Sequence, residues 1–391
     1  MSRVFRIAVV VSHPVQYYVP LYRRLAMRPD IELRVFYTWH SGAGPVRDAG
    51  FGRDVEWDIP LRTGYNWELV ENVARDPGTH HFFGLINPEL VRQVLLWGPD
   101  MVHLTGYNFW SHLTGMIGFT RAGVPLLFRG DSHLLDEEPK WRQMLKRAVL
   151  GAVYGLPSVF LSVGKANREY WRKFGVPEDR ICFCPHSVEV ERFLEPDAIY
   201  ERDARQWRRQ LGISEDDLVL LFAGKLMARK RPLELMRAVR DLEGVVLVMV
   251  GEGELEATVR AEMENCPARY RWLPFQNQSR MPVVYRLGDV MVLPSSHGET
   301  WGLAVNEAQA CGRPVLVSDA VGCAQDLVVE GVTGVVFERE NWVQLRSRVE
   351  ELRAGRWVWD RAEIRWRAKS YSIEATEEAL MEAVRKVRPP E

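Results

Sequence analysis

The chain has 391 residues, enough for two or three domains of ordinary size. Hydrophobic residues make up 47% and charged residues 26%, a composition typical of globular proteins rather than disordered or fibrous ones. The formal net charge of -1 argues against a dedicated nucleic-acid binder, because such proteins depend on a cationic surface.

Membrane and disulfide signals are weak. No apolar run reaches the roughly 18 residues that a spanning helix needs. The N-terminal apolar run predicts a buried first strand rather than a signal peptide, since no small-residue cleavage site follows it. The five cysteines are odd in number and form no CxxC pair with spaced histidines. This pattern predicts reduced thiols, no zinc site and a cytoplasmic location.

The first half of the chain alternates short apolar runs with amphipathic stretches. Continuous apolar strands separated by helices indicate a parallel sheet covered on both faces. The predicted strands are 6–12, 33–37, 101–104, 125–129, 158–163 and 181–184, and the predicted helices include 15–27, 88–96, 108–121, 138–154 and 165–174.

A polar, charged segment at 195–210 interrupts the alternation, and a second series follows it. Two successive doubly wound units explain this better than one large sheet. The predicted fold class is α/β, with Rossmann-like domains at 1–194 and 195–372 that face a cleft. Ligands of such sheets bind beyond the carboxyl ends of the strands. The second series of strands is 218–223, 245–250, 271–274, 290–294, 314–318 and 335–337.

The loop after strand 218–223 reads GKLMARKRP. Gly224 permits close backbone approach, Lys225 and Lys230 supply charge, and a helix begins near Pro232. A glycine turn, cationic side chains and a helix N-terminus together suit a diphosphate. The alternative is a solvated basic loop. A P-loop NTPase is not indicated, because GxxxxGK[ST] is absent.

The loop after strand 290–294 carries two glutamates eight residues apart. Glu299 lies at the loop tip, where it can accept hydrogen bonds from sugar hydroxyls. Glu307 lies on the helix that follows, where a carboxylate can take both hydroxyls of a ribose. The N–H groups of the first helical turn can hold a phosphate. The alternative is one glutamate placed for the helix dipole and one on the surface. The predicted donor-binding residues here are Thr300, Trp301, Gly302, Leu303 and Glu307.

This stretch, PSSHGETWGLAVNEAQACGRPV, resembles the E-x7-E region of retaining GT-B glycosyltransferases, the group of bacterial mannosyltransferases and glycogen-synthase-like enzymes. It has one extra residue before Glu299. GKLMARKR is similar to the family's G-R-L-x-x-x-K-G, with Lys225 in the arginine place and Lys230 in the lysine place. CPHSVEVERF, GVTGVVF and YSIEATEEALMEAV resemble further family motifs in the same order.

The resemblance implies transfer of a sugar from a UDP-, GDP- or ADP-sugar to a hydroxyl acceptor with retention. The acceptor class is a glycan, a lipid-linked molecule or a small hydroxyl compound, and no nucleic acid, catalytic metal or other cofactor is expected. Lys225 and Lys230 would neutralise the leaving diphosphate in place of a metal, and Glu299 would serve the transferred sugar. The C-terminal helix at 373–391 would return to the first domain.

The first half departs from the family pattern. The Gly-Gly pair expected after the first strand is absent, and SHPVQYYVPLY places His13 and Gln16 in a loop at the strand end. In LLFRGDSHLLDEE, Asp131 matches the family's aspartate, while its histidine place is taken by a glycine and His133 stands close by. Asp131 and His133 are therefore predicted catalytic residues, which accept the acceptor proton or hold the donor sugar. His13 and Gln16 are predicted to order the diphosphate. Arg129 can bind an anion. The alternatives are a Pro-capped helix start and a loop histidine with a purely structural role.

The helix KWRQMLKRAVLGAVYG carries basic and aromatic residues. It is interpreted as one layer of a doubly wound domain with its basic face in water. Peripheral contact with the inner face of a membrane is the alternative. The GEG turn after strand 245–250 does not match GxGxxG, and it and the 274–278 loop are predicted to approach a nucleotide base.

Two other functions remain open at this point. One is a nucleotide-sugar epimerase or sugar phosphorylase of the same fold, which product analysis would distinguish. The other is a non-catalytic nucleotide-sugar-binding protein. Paired glutamates with paired lysines favour the glycosyltransferase.

Overall fold

The chain folds into two units, each built around one parallel β-sheet. The computed structural model describes residues 3–40, 44–48, 50–136 and 140–387. Of these residues, the first unit takes those that fall within 1–44, 60–186 and 373–391, and the second takes those within 45–59 and 187–372. The division falls after His186, eight residues before the predicted limit, and it gives the short segment 45–59 to the second unit.

The strands are mostly continuous apolar runs whose residues are buried, as expected for sheets covered on both faces. They are β1 Phe5–Val11, β2 Ile31–Tyr37, β3 Val46–Asp48, β4 Arg53–Val55, β5 Asn66–Leu69, β6 Met101–Thr105, β7 Leu126–Gly130, β8 Val159–Ser162, β9 Ile181–Phe183, β10 Leu218–Ala223, β11 Val245–Val250, β12 Tyr270–Leu273, β13 Val290–Leu293, β14 Val315–Ser318 and β15 Gly334–Phe337.

Helices α1 to α12 lie between strands in chain order, and α13 to α15 follow the last strand. They are α1 Val19–Ala26, α2 Leu90–Trp97, α3 Trp110–Arg121, α4 Lys140–Val153, α5 Lys165–Lys173, α6 Val190–Leu194, α7 Asp197–Gln210, α8 Pro232–Val239, α9 Glu256–Glu264, α10 Met281–Leu287, α11 Leu303–Ala310, α12 Ala324–Leu327, α13 Trp342–Arg353, α14 Arg361–Ala368 and α15 Ile373–Val387. Among the described residues, none of these helices has the length and apolarity to cross a bilayer.

The first sheet has the order β5-β2-β1-β6-β7-β8-β9, and all its pairs are parallel. The chain runs outward from β1 on one side and from β6 on the other. The gap between β1 and β6 is therefore a topological switch point, where open sheets of this kind bind ligands. Helix α15 packs on this sheet through the same buried cluster as β1, with Ile373, Leu380 and Val384 in its core.

The second sheet has the order β12-β11-β10-β13-β14-β15, again parallel throughout. Its switch point lies between β10 and β13. The loops that follow these two strands are the two that carry the predicted lysines and glutamates. The topology therefore brings together side chains about 70 positions apart in the sequence.

The predicted fold class is confirmed, and all twelve predicted strands are present with ends shifted by two residues at most. Helix α1 begins four residues later than predicted, because residues 15–18 form a turn closed by the Tyr18 N–H donating to the Val15 carbonyl at 2.9 Å. The polar segment 195–210, which interrupts the alternation of strands and helices in the sequence, contains helix α7. Residues 138 and 139 of the predicted fourth helix lie outside the described residues. Three short strands, β3 to β5, were not predicted.

Candidate active site

The loop after β10 is held flat against the loop after β11. The Gly224 N–H donates to the Val250 carbonyl at 2.9 Å, and the Leu226 N–H donates to the Glu252 carbonyl at 2.9 Å. Gly251 has φ 136°, and a Cβ there would lie 2.0 Å from the Gly224 carbonyl oxygen. Only glycine allows this approach. The result is a rigid backbone platform from which Lys225 projects.

Lys230 forms an ion pair with Glu299, across the switch point between β10 and β13. Ser295 Oγ donates to Glu299 Oε2 at 3.0 Å, and Arg229 Nη1 lies 3.6 Å from the same oxygen. Glu299 is 9% exposed. Burial alone would raise the pKa of its carboxyl, but the charges of Lys230 and Arg229 and the hydrogen bonds outweigh burial and lower it. The structure thus joins two predicted catalytic residues as a charged pair.

Lys225 is paired with a carboxylate that the sequence reading missed. Its Nζ lies 2.8 and 3.0 Å from the two oxygens of Asp48, and 4.8 Å from the centre of the Phe51 ring. Asp48 ends strand β3, far from Lys225 in sequence. The ammonium of Lys225, just beyond the end of strand β10, therefore already forms charge-assisted hydrogen bonds to an anionic group.

Asp48 belongs to the segment 45–59, named here the β3–β4 strap, which lies along the strand ends of the second unit. Arg53 pairs with Glu252 at 3.1 Å, in the loop after β11. Asp58 accepts from the Ser279 N–H at 3.2 Å, in the loop after β12. The strap therefore covers the loops predicted to approach the diphosphate and the base.

The N-terminus of helix α11 is set by Gly302. Its φ is 97°, and a Cβ there would lie 2.9 Å from Val321 Cγ1, so a side chain would be strained and crowded. Trp301 is buried, and its Nε1 donates to Asn306 Oδ1 at 2.9 Å. These contacts fix the backbone of Thr300 to Leu303 where the chain enters the helix. The turn predicted to bind phosphate follows the carboxyl end of β13 and leads into α11.

Glu307 lies in the second turn of α11 and is 4% exposed. Tyr285 Oη donates to its Oε2 at 2.6 Å. Its Oε1 is buried and has no hydrogen-bond partner among the described residues. Burial raises the pKa of this carboxyl above its usual value, although Tyr285 and Arg192 lower it in part. A buried carboxylate oxygen without a donor marks a place where a ligand hydroxyl would fit.

Arg129, in the first unit, is buried at 4% exposure. Its Nη1 donates to the Cys184 carbonyl at 3.1 Å and its Nη2 to the Pro185 carbonyl at 3.0 Å. Its guanidinium also lies over the Tyr18 ring, 5.7 Å from the centroid. These contacts commit the two Nη groups to the backbone that follows β9, whereas the buried Nε has no hydrogen-bond partner among the described residues. Anion binding by Arg129 stays a prediction.

The loop after β7 places Asp131 and His133 differently. Asp131 is exposed, while His133 is half-buried. The Leu135 N–H donates to His133 Nδ1 at 3.1 Å. A neutral His133 therefore carries its hydrogen on Nε2, which makes Nε2 a donor rather than a base. The Ser132 carbonyl accepts from Asn167 Nδ2 at 2.7 Å, which anchors the loop to helix α5.

The loop after β1 lies at the switch point of the first sheet. His13 contacts the rings of Trp39 and His40 at centroid distances of 5.3 and 5.2 Å, and its Nδ1 lies 2.9 Å from Ser12 Oγ. Gln16 is buried, and its Oε1 has no hydrogen-bond partner among the described residues. His13 and Gln16 thus stand at the carboxyl end of β1, the ligand-binding edge of the first sheet.

The basic-aromatic helix, interpreted from the sequence as one layer of the first domain with membrane contact as the alternative, is α4. Its Trp141 side chain is 63% exposed. Lys146 lies over the Tyr170 ring at 5.7 Å, inside the first unit. The side chains of Lys140 and Arg142 lie outside the described residues. Peripheral membrane contact stays the untested alternative.

Besides Asp48, the sequence reading missed Ser295 and Tyr285, which hold the two glutamates. Ser295 is the serine of the P-S pair in the E-x7-E motif, so the motif could have indicated it. Tyr285 lies on α10 with no motif around it, and only the packing of α10 on α11 brings it to Glu307.

Two doubly wound units, with a lysine–carboxylate cluster at the switch point of the second, define the GT-B class of glycosyltransferase. Family models agree: residues 64–186 match the glycosyl transferase 4-like domain, and residues 203–371 match glycosyl transferases group 1.

Named relatives support the same assignment. The chain is 34% identical over 389 residues to D-inositol 3-phosphate glycosyltransferase of Geodermatophilus obscurus, covering 91% of this chain and 76% of that protein. It is 32% identical to the Mycobacterium tuberculosis F11 enzyme of that name, covering 81% and 70%. The match to the Xylanimonas cellulosilytica enzyme, at 33% identity, spans 61% of this chain and 60% of that protein.

Solved structures share the fold. A glycosyltransferase from Rickettsia africae gives a TM-score of 0.73 at 13% identity, covering 99% of both chains. Anabaena HepE in complex with UDP gives 0.71 at 16% identity, covering 98% of this chain and 100% of that one. The chain belongs to the group 1 glycosyltransferases, and the predicted family is confirmed. The matches do not favour an epimerase, a phosphorylase or a non-catalytic binder.

Proposed function

We propose that this glycosyltransferase moves a sugar from a nucleotide diphosphate donor to a hydroxyl acceptor, with retention and without a catalytic metal. The observation that carries the proposal is the cluster of Lys230, Glu299 and Lys225 at the switch point of the second sheet. Each lysine pairs there with a carboxylate, Asp48 or Glu299, beside a backbone platform whose close packing requires Gly251.

Lys225 and Lys230 would receive the donor diphosphate. As the glycosidic bond breaks, negative charge develops on the leaving phosphate oxygen, and preorganised cations stabilise it most strongly at that moment. In the free protein each ammonium already holds a carboxylate, Asp48 or Glu299. Donor binding would displace Asp48 from Lys225, since a second anion beside the diphosphate is repelled.

Glu307 would bind the ribose. Its Oε1 lacks a donor, and its Oε2 keeps the hydrogen bond from Tyr285. A ribose hydroxyl would supply the missing donor. Glu299 would instead accept from hydroxyls of the transferred sugar, because it stands at the loop tip before α11.

The acceptor would bind at the strand ends of the first unit. His133 offers an Nε2 donor, and Asp131 offers an exposed carboxylate. Neither is required as a nucleophile, because retention by front-face displacement lets the leaving phosphate oxygen take the acceptor proton. The names of the relatives make D-inositol 3-phosphate the first acceptor to assay, alongside glycan and lipid-linked hydroxyls.

Ligand binding and product stereochemistry test the proposal together. Thermal shift with UDP, GDP and ADP, and then with their sugars, is expected to identify one base, with UDP tried first because HepE binds it. Proton NMR of the product is expected to show the anomeric configuration of the donor. Turnover is expected to persist in EDTA. An inverted product, or loss of turnover in EDTA with recovery on adding a divalent cation, would overturn the corresponding part.

A further inference from the structure

A cluster of metal-ligating side chains lies in the first unit, in the loop between β5 and α2. Asp76, His80 and His81 each offer one ligand atom, and these atoms all lie within 4.8 Å of one another. His80 Nε2 lies 3.0 Å from Asp76 Oδ2, and His81 Nε2 lies 3.4 Å from the same oxygen. None of these residues belongs to the proposed glycosyl-transfer machinery.

Two of the three ligand–ligand distances fit a small tetrahedral ion, and the third is at most 4.8 Å. Zinc bonds of about 2.0–2.2 Å place neighbouring ligand atoms roughly 3.3–3.5 Å apart. The two histidine–aspartate separations are close to that edge. Two imidazoles and one carboxylate are a ligand set that suits zinc and other late first-row metals rather than magnesium.

The loop that carries the cluster is tightly built. Asn72 Oδ1 accepts from the Ile86 N–H at 2.9 Å, and its Nδ2 donates to the Gly84 carbonyl at 2.8 Å, which clamps the two ends of the loop together. The Gly78 N–H donates to the Gly84 carbonyl at 3.1 Å. A Cβ at Gly78 would lie 2.5 Å from His80 Nδ1, so the imidazole of His80 lies directly against backbone.

We propose that Asp76, His80 and His81 form a surface site for a divalent zinc-class metal, with solvent completing the coordination. In the free protein the His80 ring is hydrogen-bonded to the Asp76 carboxylate, and His81 Nε2 also lies 3.0 Å from the Asp76 carbonyl oxygen. On binding, each neutral imidazole presents the lone pair of Nε2 to the metal and carries its hydrogen on Nδ1. The metal then links Asp76 to His80 and His81 inside the loop that Asn72 closes.

The metal-binding loop is attached to the ligand-binding edge of the first sheet. The loop follows β5, whose carboxyl end lies at the same edge of the parallel sheet as the ends of β1 and β2. Asn87 Nδ2 at the end of the loop donates to the carbonyls of Thr38 and Val70 at 2.9 and 3.0 Å, so the loop is tied to that edge. Metal binding would stiffen one wall of the ligand-binding edge of the first unit.

Titration of the full chain with Zn²⁺, followed by calorimetry, tests the proposal. We expect one equivalent to bind, a His80→Ala/His81→Ala double variant to weaken binding at least tenfold, and Asp76→Asn to weaken it less. His297→Ala, an exposed histidine in the second unit, is the matched control and is expected to bind as the parent does. Mg²⁺ is expected not to compete.

Hydrogen exchange gives a second readout that does not depend on catalysis. Zn²⁺ is expected to slow amide exchange in residues 74–84 of the parent chain and not of the double variant. Binding of equal strength in parent and double variant, or no binding at all, would overturn the proposal. Either result leaves the proposed glycosyl transfer untouched, because that is measured in EDTA.

Discussion

The two units place basic side chains at comparable ends of their sheets and use them differently. In the second unit, Lys225 and Lys230 pair with carboxylates, which a stronger anion can displace. In the first unit, Arg129 is buried and donates to backbone carbonyls. A ligand cannot displace these carbonyls from the guanidinium, because they belong to the buried backbone. A cation at a strand end therefore indicates a ligand site only where its partner is exchangeable.

The largest expected effect is a loss of stability when Arg129, the fixed cation of the first unit, is replaced. Arg129→Met is expected to lower the free energy of unfolding by about 3 kcal/mol, because two buried carbonyls lose charge-assisted donors worth about 1.5–3 kcal/mol each. Urea unfolding, with hydrogen exchange of peptides from the first unit, measures the loss. Arg121→Met, at an exposed position ending α3, is the control and should change little. A variant of full stability that binds nucleotide poorly would contradict the structural role.

The next effect concerns Lys230. Lys230→Ala is expected to lower turnover about a hundredfold, the usual cost of removing one group that stabilises developing charge. Initial rates with saturating donor measure it. Lys173→Ala, exposed at the end of α5, should keep parent rates, and Lys230→Arg should keep part of the activity. Normal turnover in a folded Lys230→Ala enzyme would exclude the residue from the site.

The buried His103 beside Arg129 is expected to make the stability of the first unit depend on pH. It lies in β6, and both its ring nitrogens are buried without a hydrogen-bond partner among the described residues. Burial, together with the charge of Arg129, lowers its pKa to about 3. The unfolded chain, with a pKa near 6.5, takes up a proton that the native chain refuses, so stability falls as pH drops from about 6.5 towards 3.

His103→Leu should remove this loss. The difference in unfolding free energy between pH 7 and pH 5 is expected to shrink by about 2 kcal/mol. His112, whose pKa burial lowers to about 4, leaves a residual loss in the same direction. Chemical unfolding at the two pH values is the measurement, and His297→Leu is the exposed control. An unchanged pH dependence in His103→Leu would show that the imidazole is protonated or solvated in the native state.

A smaller effect separates the two glutamates. Glu307→Ala is expected to weaken the free nucleoside diphosphate about tenfold, since a carboxylate hydrogen bond is worth roughly 1.5 kcal/mol. Glu299→Ala should weaken the sugar nucleotide and turnover but spare the free nucleotide. Calorimetry with both ligands decides. Equal losses of free nucleotide affinity in the two variants would refute the division of roles.

The smallest expected effect is a gain. Asp48→Asn should tighten nucleoside diphosphate binding about threefold, because the carboxylate no longer competes with the phosphates for Lys225. Asp58→Asn, in the same strap but paired with Ser279, is the control. Weaker binding in Asp48→Asn would mean that the carboxylate positions Lys225 rather than competing for it.

Local patterns in the sequence predicted much of this protein, because strand and helix periodicities and the E-x7-E motif are short-range signals. They predicted twelve strands, the doubly wound class, and the lysines and glutamates of the second unit. The strands β3 to β5 were missed because most of their residues are polar or charged, whereas the equally short β8 and β9 are apolar runs.

Tertiary structure decided the partners. Asp48 reaches Lys225 across 177 positions of sequence, and Arg129 meets the Cys184 backbone across 55. No local pattern encodes such pairs, since sheet order and packing determine them. Asp76, His80 and His81 lie within six positions of sequence, but only the fold of their loop brings the three ligand atoms within 4.8 Å of one another. Residue types at strand ends could be read from the sequence, whereas the partner that makes a cation exchangeable or fixed depended on the fold.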